Sequence, residues 1–367
     1  MDEPVFAAER LELARLRRGY NKTRLAALVG VTAPTITSYE RARRDPPPSM
    51  VARLAEALEF PESFFYAAMG DLVPLEAASF RALSRMSASQ RDAALASGTL
   101  CTEFEAWLSD RFELPTPNLP DVDQRVVDPA GAAAQVRASW GLGSAPVSNV
   151  LQTLEANGVR VFALAAECQE VDAFSFWQDS TNTPYIIVGT HKTPERQVFD
   201  LAHELAHLVL HRHHGEPRGK TEEREADLFA SSFLMPRDDL LVAAPRAPTF
   251  NDLVTAKHRW KVSVAALGFR LRQLELMTDW SYHRLCVQLS RIGRAEEPNS
   301  LPREQSQVLA KTLAALRKEG ITRARIASEL NLRRSDLDAL IGRLVVTSVD
   351  GGREATPPSH PPLRLVE

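Results

Sequence analysis

The sequence predicts an α+β fold that is mostly helical, with an all-α segment at the N-terminus, a small β-sheet near the middle and a helical C-terminal region. Apolar residues recur at three- and four-residue spacing over most of the 367 residues, and this period breaks only between about Val159 and Val188, where short β-branched and aromatic runs alternate with turn residues. A content of 44% apolar and 25% charged residues is that of a globular chain long enough for two or three domains.

From Phe6 to about Met69 the pattern is helical throughout, and Gly19-Tyr20-Asn21, Gly30-Val31-Thr32 and Arg44-Asp45-Pro46-Pro47-Pro48 divide it into five short helices, a first domain over 6–69. A second helical stretch from Pro74 to Phe112 ends in the Pro-rich run from Leu114 to Pro120, giving a connector over 70–120. Pro129 to Trp140 and Val147 to Glu155 read as helices. Val159 to Leu164, Ala173 to Trp177 and Tyr185 to Val188 read as strands. Thr193 can cap a helix that starts at Pro194 and runs to about His211, and a further amphipathic helix from Glu222 to Leu234 stops at Pro236, closing a central domain over 125–245. Helices resume from Phe250 to Val345 with a break at 297–302, a region over 246–347. The tail over 348–367, rich in Pro, Gly and Arg, is expected to be disordered.

The net charge of -3 gives no global attraction to nucleic acid, so DNA binding would need a local basic surface. No apolar run reaches the length of a membrane span, and Met1 to Glu9 lacks a basic start followed by an apolar core, so a cytoplasmic location without membrane contact is expected. Cys101, Cys168 and Cys286 are far apart and odd in number. That excludes a disulfide framework and a thiolate zinc knot in favour of buried, inert thiols.

The run His203-Glu204-Leu205-Ala206-His207 carries the chemistry. On a helix, His203 and His207 lie within roughly 40° of one another and one turn apart, so both rings can reach one cation, while Glu204 sits beside that face as a proton acceptor. A catalytic zinc site needs a third protein ligand. His213 has the spacing of the H-E-x-x-H-x-x-G-x-x-H pattern, but Leu210 stands where that pattern has Gly. His211 continues the four-residue spacing, yet a straight helix carries it a turn further from the cation. Glu222, Glu223 and Glu225 lie on the next helix. Glu225 is favoured because Ala226 permits close helix approach and Phe229 looks core-facing, with Glu222 and His213 left open. Zinc so held would acidify a water and polarise a peptide carbonyl, with Glu204 moving the proton. The strand Tyr185 to Val188 is expected to be an edge on which an extended peptide adds, with Tyr185 and His191 as candidate electrophilic partners.

In the first domain, Leu25 to Val29, Gly30, the Thr32 cap and Ile36 to Glu40 have the layout of a helix-turn-helix. Thr32, Pro34, Thr35 and Ser38 would then face a major groove, with Arg41, Arg43 and Arg44 near phosphates. Lys22 and Ala33 stand where such readers often carry Gln, and short hydroxyls make weak base readers.

Residues 6–69 resemble the Cro/repressor-type helix-turn-helix family, often called XRE, through Leu25-Ala26, Gly30-Val31, Ile36, Tyr39-Glu40 and Leu54-Ala55. Residues of about 130–240 resemble the ImmA/IrrE metallopeptidases through Arg196 to Leu208 and through Glu225-Ala226, Phe229-Ala230 and Met235-Pro236. The second resemblance implies a zincin-like domain with Glu225 as the glutamate ligand to Zn2+, and a regulatory protein as substrate, a repressor or a toxin–antitoxin partner, in stress or mobile-element control. Together they imply a DNA-binding transcriptional regulator with zinc endopeptidase activity, binding an operator through residues 6–69 and pairing as a homodimer on two half-sites. The competing reading is a non-catalytic repressor or antitoxin whose peptidase-like domain only binds a partner or senses a signal. The stretch from Ile321 to Ile341 reads as a further helix-turn-helix or, more simply, a three-helix packing unit.

Overall fold

A computed structural model describes residues 5–73, 79–80, 87–122, 127–165, 171–212, 219–293 and 296–346. Four α-helices build the first domain: α1 (Ala8–Arg17), α2 (Lys22–Val29), α3 (Ala33–Glu40) and α4 (Pro48–Leu58). Where sequence suggested a fifth helix, Glu62–Tyr66 forms a 3-10 turn. Asn21 caps α2 by accepting from the Arg24 amide, and Gly30 ends it at φ 63, a left-handed turn that needs no Cβ. Buried Glu40 joins three helices. It accepts from Arg15 of α1 and pairs with Lys22 Nζ of α2 at 2.9 Å, so the end of α3 is held over its partners.

The helix expected from Pro74 begins, among the described residues, at Ala88, and 74–78 and 81–86 lie outside them. α5 (Ala88–Ser109) begins at a Ser87 cap in which the Gln90 side chain returns the bond, a local start signal for the helix. Ahead of it, β1 (Ser79–Phe80) is a two-residue strand with no sequence signature.

The central domain comprises α6 (Pro129–Ser139), α7 (Val150–Ala156), β2 (Arg160–Ala163), β3 (Ala173–Gln178), β4 (Thr183–Val188), α8 (Pro194–Leu210) and α9 (Lys220–Leu234). The sheet order is β1-β3-β4-β2, with β3 antiparallel to β1 and β4, and β2 parallel to β4. The expectation that Tyr185 to Val188 forms an edge is therefore corrected: β4 is paired on both sides, and all six of its residues are buried. Tyr185 donates its hydroxyl to Glu105 of α5 at 3.1 Å, inside the core.

α10 (Arg237–Ala243), α11 (Phe250–Trp260), α12 (Val264–Gln273) and α13 (Asp279–Ile292) follow, then α14 (Gln307–Lys318), α15 (Arg323–Glu329) and α16 (Arg334–Ile341). The C-terminal chain locks onto the start of α8. Glu195 in the first turn of α8 takes bonds from buried Lys257 Nζ (2.7 Å), Ser300 Oγ (2.9 Å) and the Leu301 amide (2.8 Å), and Glu297 joins Lys257 at 3.1 Å. The unit α14–α16 packs on α1 and α5. Arg18 grips Asp336 of α16 with both terminal nitrogens at 2.7 and 2.9 Å, while Trp107 of α5 and Arg111 just past its end bond Glu329 at 3.1 Å. Asp336, in the first turn of α16, is thus buried against the first domain, and that helix start serves packing.

Cys101 is buried and its thiol is pushed up by that burial, whereas Cys286 is exposed, contrary to the expected burial; Cys168 and the tail beyond 346 lie outside the described residues. Among the described residues no helix is long and apolar enough to cross a membrane.

Candidate metal centre

α8 is built to carry polar groups indoors. Thr193 caps it, Pro194 opens it, and Leu201, Ala202, Leu205 and Ala206 bury one face with 0% exposure, leaving His203, Glu204 and His207 equally buried beside them. α9, with Ala226, Phe229, Ala230 and Phe233 buried, packs against this helix, and Arg137 of α6 fixes its end by donating to the Phe233 carbonyl at 2.5 Å. Small residues on both helices allow the backbones to approach closely, which brings carboxylates of α9 over the two imidazoles.

His203 Nε2 and His207 Nε2 face one another at 3.1 Å. One Glu223 oxygen lies 3.4 Å from His203 Nε2 and the other 3.5 Å from His207 Nε2. Two ligands of a tetrahedral zinc, each at about 2.0–2.1 Å, stand about 3.3–3.4 Å apart. The three observed edges bracket that value, and this trio is a group of potential ligand atoms gathered within 4.8 Å. Burial raises the Glu223 carboxyl, but hydrogen bonds from the His203 and His207 rings, and their charges when those rings are protonated, outweigh it and hold it at about 2.

The other ring nitrogens explain why the pair points inward. Asp227 lies 3.0 Å from His203 Nδ1, so that nitrogen donates and Nε2 keeps its lone pair. Glu225 lies 3.0 Å from His211 Nε2, and His211 Nδ1 lies 2.9 Å from His207 Nδ1. With His211 donating to Glu225, its Nδ1 accepts from His207, and the His207 Nε2 lone pair also faces inward. Two such lone pairs at 3.1 Å repel unless a cation lies between them, and two imidazoles plus a carboxylate suit zinc.

Glu225, the ligand favoured from sequence, is therefore not brought to the pair. At about 100° per residue, Glu225 lies roughly 200° round α9 from Glu223, on a flank that reaches the end of α8 rather than its middle. Glu223 shares its stripe with Ala226, Asp227 and Ala230. Ala226 and Phe229 are both buried, so sequence alone could not choose between the two phases. Glu222 turns back to its own helix start, where its Oε2 accepts from the Gly219 amide at 2.9 Å, and His213 lies outside the described residues.

Glu204 points towards the sheet. Ser175 of β3 donates its hydroxyl to Glu204 Oε2 at 2.7 Å, fixing the carboxylate. Sequence reading passed over Ser175, though a lone hydroxyl between Phe174 and Phe176 in a fully buried run was a usable signal, since buried polar groups need partners. His191 sits before α8 with the charges of Asp200 and Arg303 near it, and partial burial lowers its pKa.

On the first domain, Thr32 and Pro34 are exposed at the start of α3, Thr35 and Ser38 are half-buried on the same helix, and Arg41, Arg43 and Arg44 are exposed just past its end. The Thr32 and Thr35 hydroxyls bond each other at 2.9 Å, and Ser38 donates to the Pro34 carbonyl at 3.0 Å.

Residues 7–63 match the helix-turn-helix domain family, and residues 154–272, from α7 to α12, match the IrrE N-terminal-like domain family. No curated protein is significantly similar to the chain.

Proposed function

We propose that this chain, which joins a helix-turn-helix domain to an IrrE N-terminal-like peptidase-family domain, is a DNA-binding regulator that cuts a regulatory protein with a zinc-dependent endopeptidase site. The observation that carries this reading is the triangle of His203 Nε2, His207 Nε2 and Glu223, with Glu204 anchored beside it. His203, His207 and Glu223 are the proposed ligands. Bound zinc would supply an acidified water and an electrophile for the scissile carbonyl. Glu204 Oε1 or Oε2 takes the proton released when water attacks and returns it to the departing amine. Ser175 keeps that carboxylate in place through both transfers, and burial of His203, Glu204 and His207 strengthens every charge interaction by excluding solvent. An extended peptide would add along β3, the strand that carries Ser175.

The proposed DNA contacts are Thr32, Pro34, Thr35 and Ser38 towards base edges, with Arg41 and Arg43 on phosphates. The substrate is proposed to be a repressor or a toxin–antitoxin partner, because the peptidase is tethered to a DNA reader. A Glu204→Gln chain is expected to retain zinc and lose cleavage of a co-expressed repressor. Cleavage by that variant, or by protein stripped of metal, would defeat the reading. Replacing Arg41 and Arg43 by Glu should abolish operator binding; retention of full affinity would remove the DNA assignment.

A further inference from the structure

We infer that the connector segment Ser79–Phe80 occupies the edge of β3 on which a peptide substrate adds, so that the chain keeps its own segment in the substrate's place. This rests on the peptidase reading above. A strand has two lateral edges, and β3 gives one to β4 along its whole length, from Ala173 opposite Val188 to Gln178 opposite Thr183. The other edge takes β1, antiparallel, with Ser79 opposite Ser175 and Phe80 opposite Phe174. Neighbouring strands lie about 4.7–4.9 Å apart, so the Ser79 backbone is one strand spacing from the residue whose hydroxyl holds the Glu204 carboxylate.

The segment is tethered on both sides. The Val73 amide donates to Thr99 Oγ1 of α5 at 3.2 Å, and Ser87 caps the start of the same helix. Tethering makes the contact intramolecular and raises its effective concentration over a free peptide, yet among the described residues two of the six β3 residues are paired with β1, so a longer strand from a partner can displace it. The same segment follows the helix-turn-helix domain in the chain, whose family match ends at residue 63.

The test uses the full chain carrying Glu204→Gln, with zinc present, so that bound peptide is not cut. Ser79→Pro with Phe80→Pro removes both backbone donors, whichever of the two faces β3. Two readouts are expected to move together by about tenfold, the worth of one or two backbone hydrogen bonds. Amide exchange over residues 173–178 accelerates, and fluorescein-labelled carboxymethylated casein binds more tightly. Ser79→Gly with Phe80→Gly should move both in the same direction by less, and it replaces the proline pair should circular dichroism show that pair to be unfolded. Unchanged exchange in a folded variant overturns the inference, as does faster exchange without a gain in casein affinity. Failure of the peptidase reading is distinguishable: the proline variant with Glu204 intact would bind casein and leave it uncut.

Discussion

Replacing Glu223 by Gln and Glu225 by Gln separates the two candidate third ligands in one experiment. The Glu223 oxygens lie 3.4 and 3.5 Å from the two Nε2 atoms, so Glu223→Gln removes an anionic ligand from the triangle itself. Glu225 acts two bonds away, through His211 at 3.0 Å and then His207 at 2.9 Å. Loss of a partner that only orients a ligand imidazole costs about 10–100-fold in metal affinity, or about 1.4–2.7 kcal/mol. Glu225→Gln should fall within that range, and Glu223→Gln should exceed about 100-fold, because it loses a bond to the cation as well as its charge. Apo-protein titrated with zinc against a chromophoric chelator measures both, with circular dichroism to show that each variant is folded. If Glu225→Gln abolishes zinc binding while Glu223→Gln leaves it close to wild type, the geometric assignment is wrong.

Three further outcomes follow from buried polar groups. Ser175→Ala removes the 2.7 Å bond to Glu204 and should lower kcat about tenfold or more with zinc content unchanged, since a hydrogen bond to a charged group is worth about 1.5–3 kcal/mol; unaltered kcat in steady-state assays of the cleaved repressor contradicts the role. Burial pushes Glu155 up to about 7, against the opposing bonds from the Ser306 hydroxyl and the Val308 and Gln307 amides. The folded value lies above the unfolded value of about 4.3, so the folded state binds the extra proton in that window. Glu155's contribution to stability is complete at the acid end and is lost as pH rises towards 7. Urea melts across this range should show that slope, and Glu155→Gln should flatten it, because one amide oxygen can face both backbone donors while its nitrogen donates to Ser306. Asp336→Ala leaves Arg17 buried at 1% exposure and Arg18 without its two-pronged partner, and should cost about 3–5 kcal/mol; a change below 1 kcal/mol in chemical denaturation would mean the contact is not a clamp.

The helix that carries His203 and His207 was legible because three signals agree locally: a Thr193 cap, Pro194 in the first turn and a sustained apolar stripe. The turn at Gly30 and the strands β2 to β4 were legible for the same reason, each being encoded within a few residues. β1 was not, because two residues carry no period and the strand exists only through its pairing with β3. Ser175 carried a usable signal in its apolar surroundings, but its partner is 29 residues away, and nothing in β3 names Glu204.

The residues alone determined the chemistry available here, two imidazoles and a carboxylate base on one helix followed by an acidic helix, because ligand spacing within an α-helix follows from its 3.6-residue turn. Tertiary structure decided which acid lies beside the two imidazoles. The crossing of α8 and α9 brings Glu223 to the imidazole pair and sends Glu225 to His211, a choice of helical phase made by the packing of side chains on both helices. It also decided that β4 lies inside the sheet, between β3 and β2, since strand order in a sheet depends on long-range pairing that local sequence does not encode.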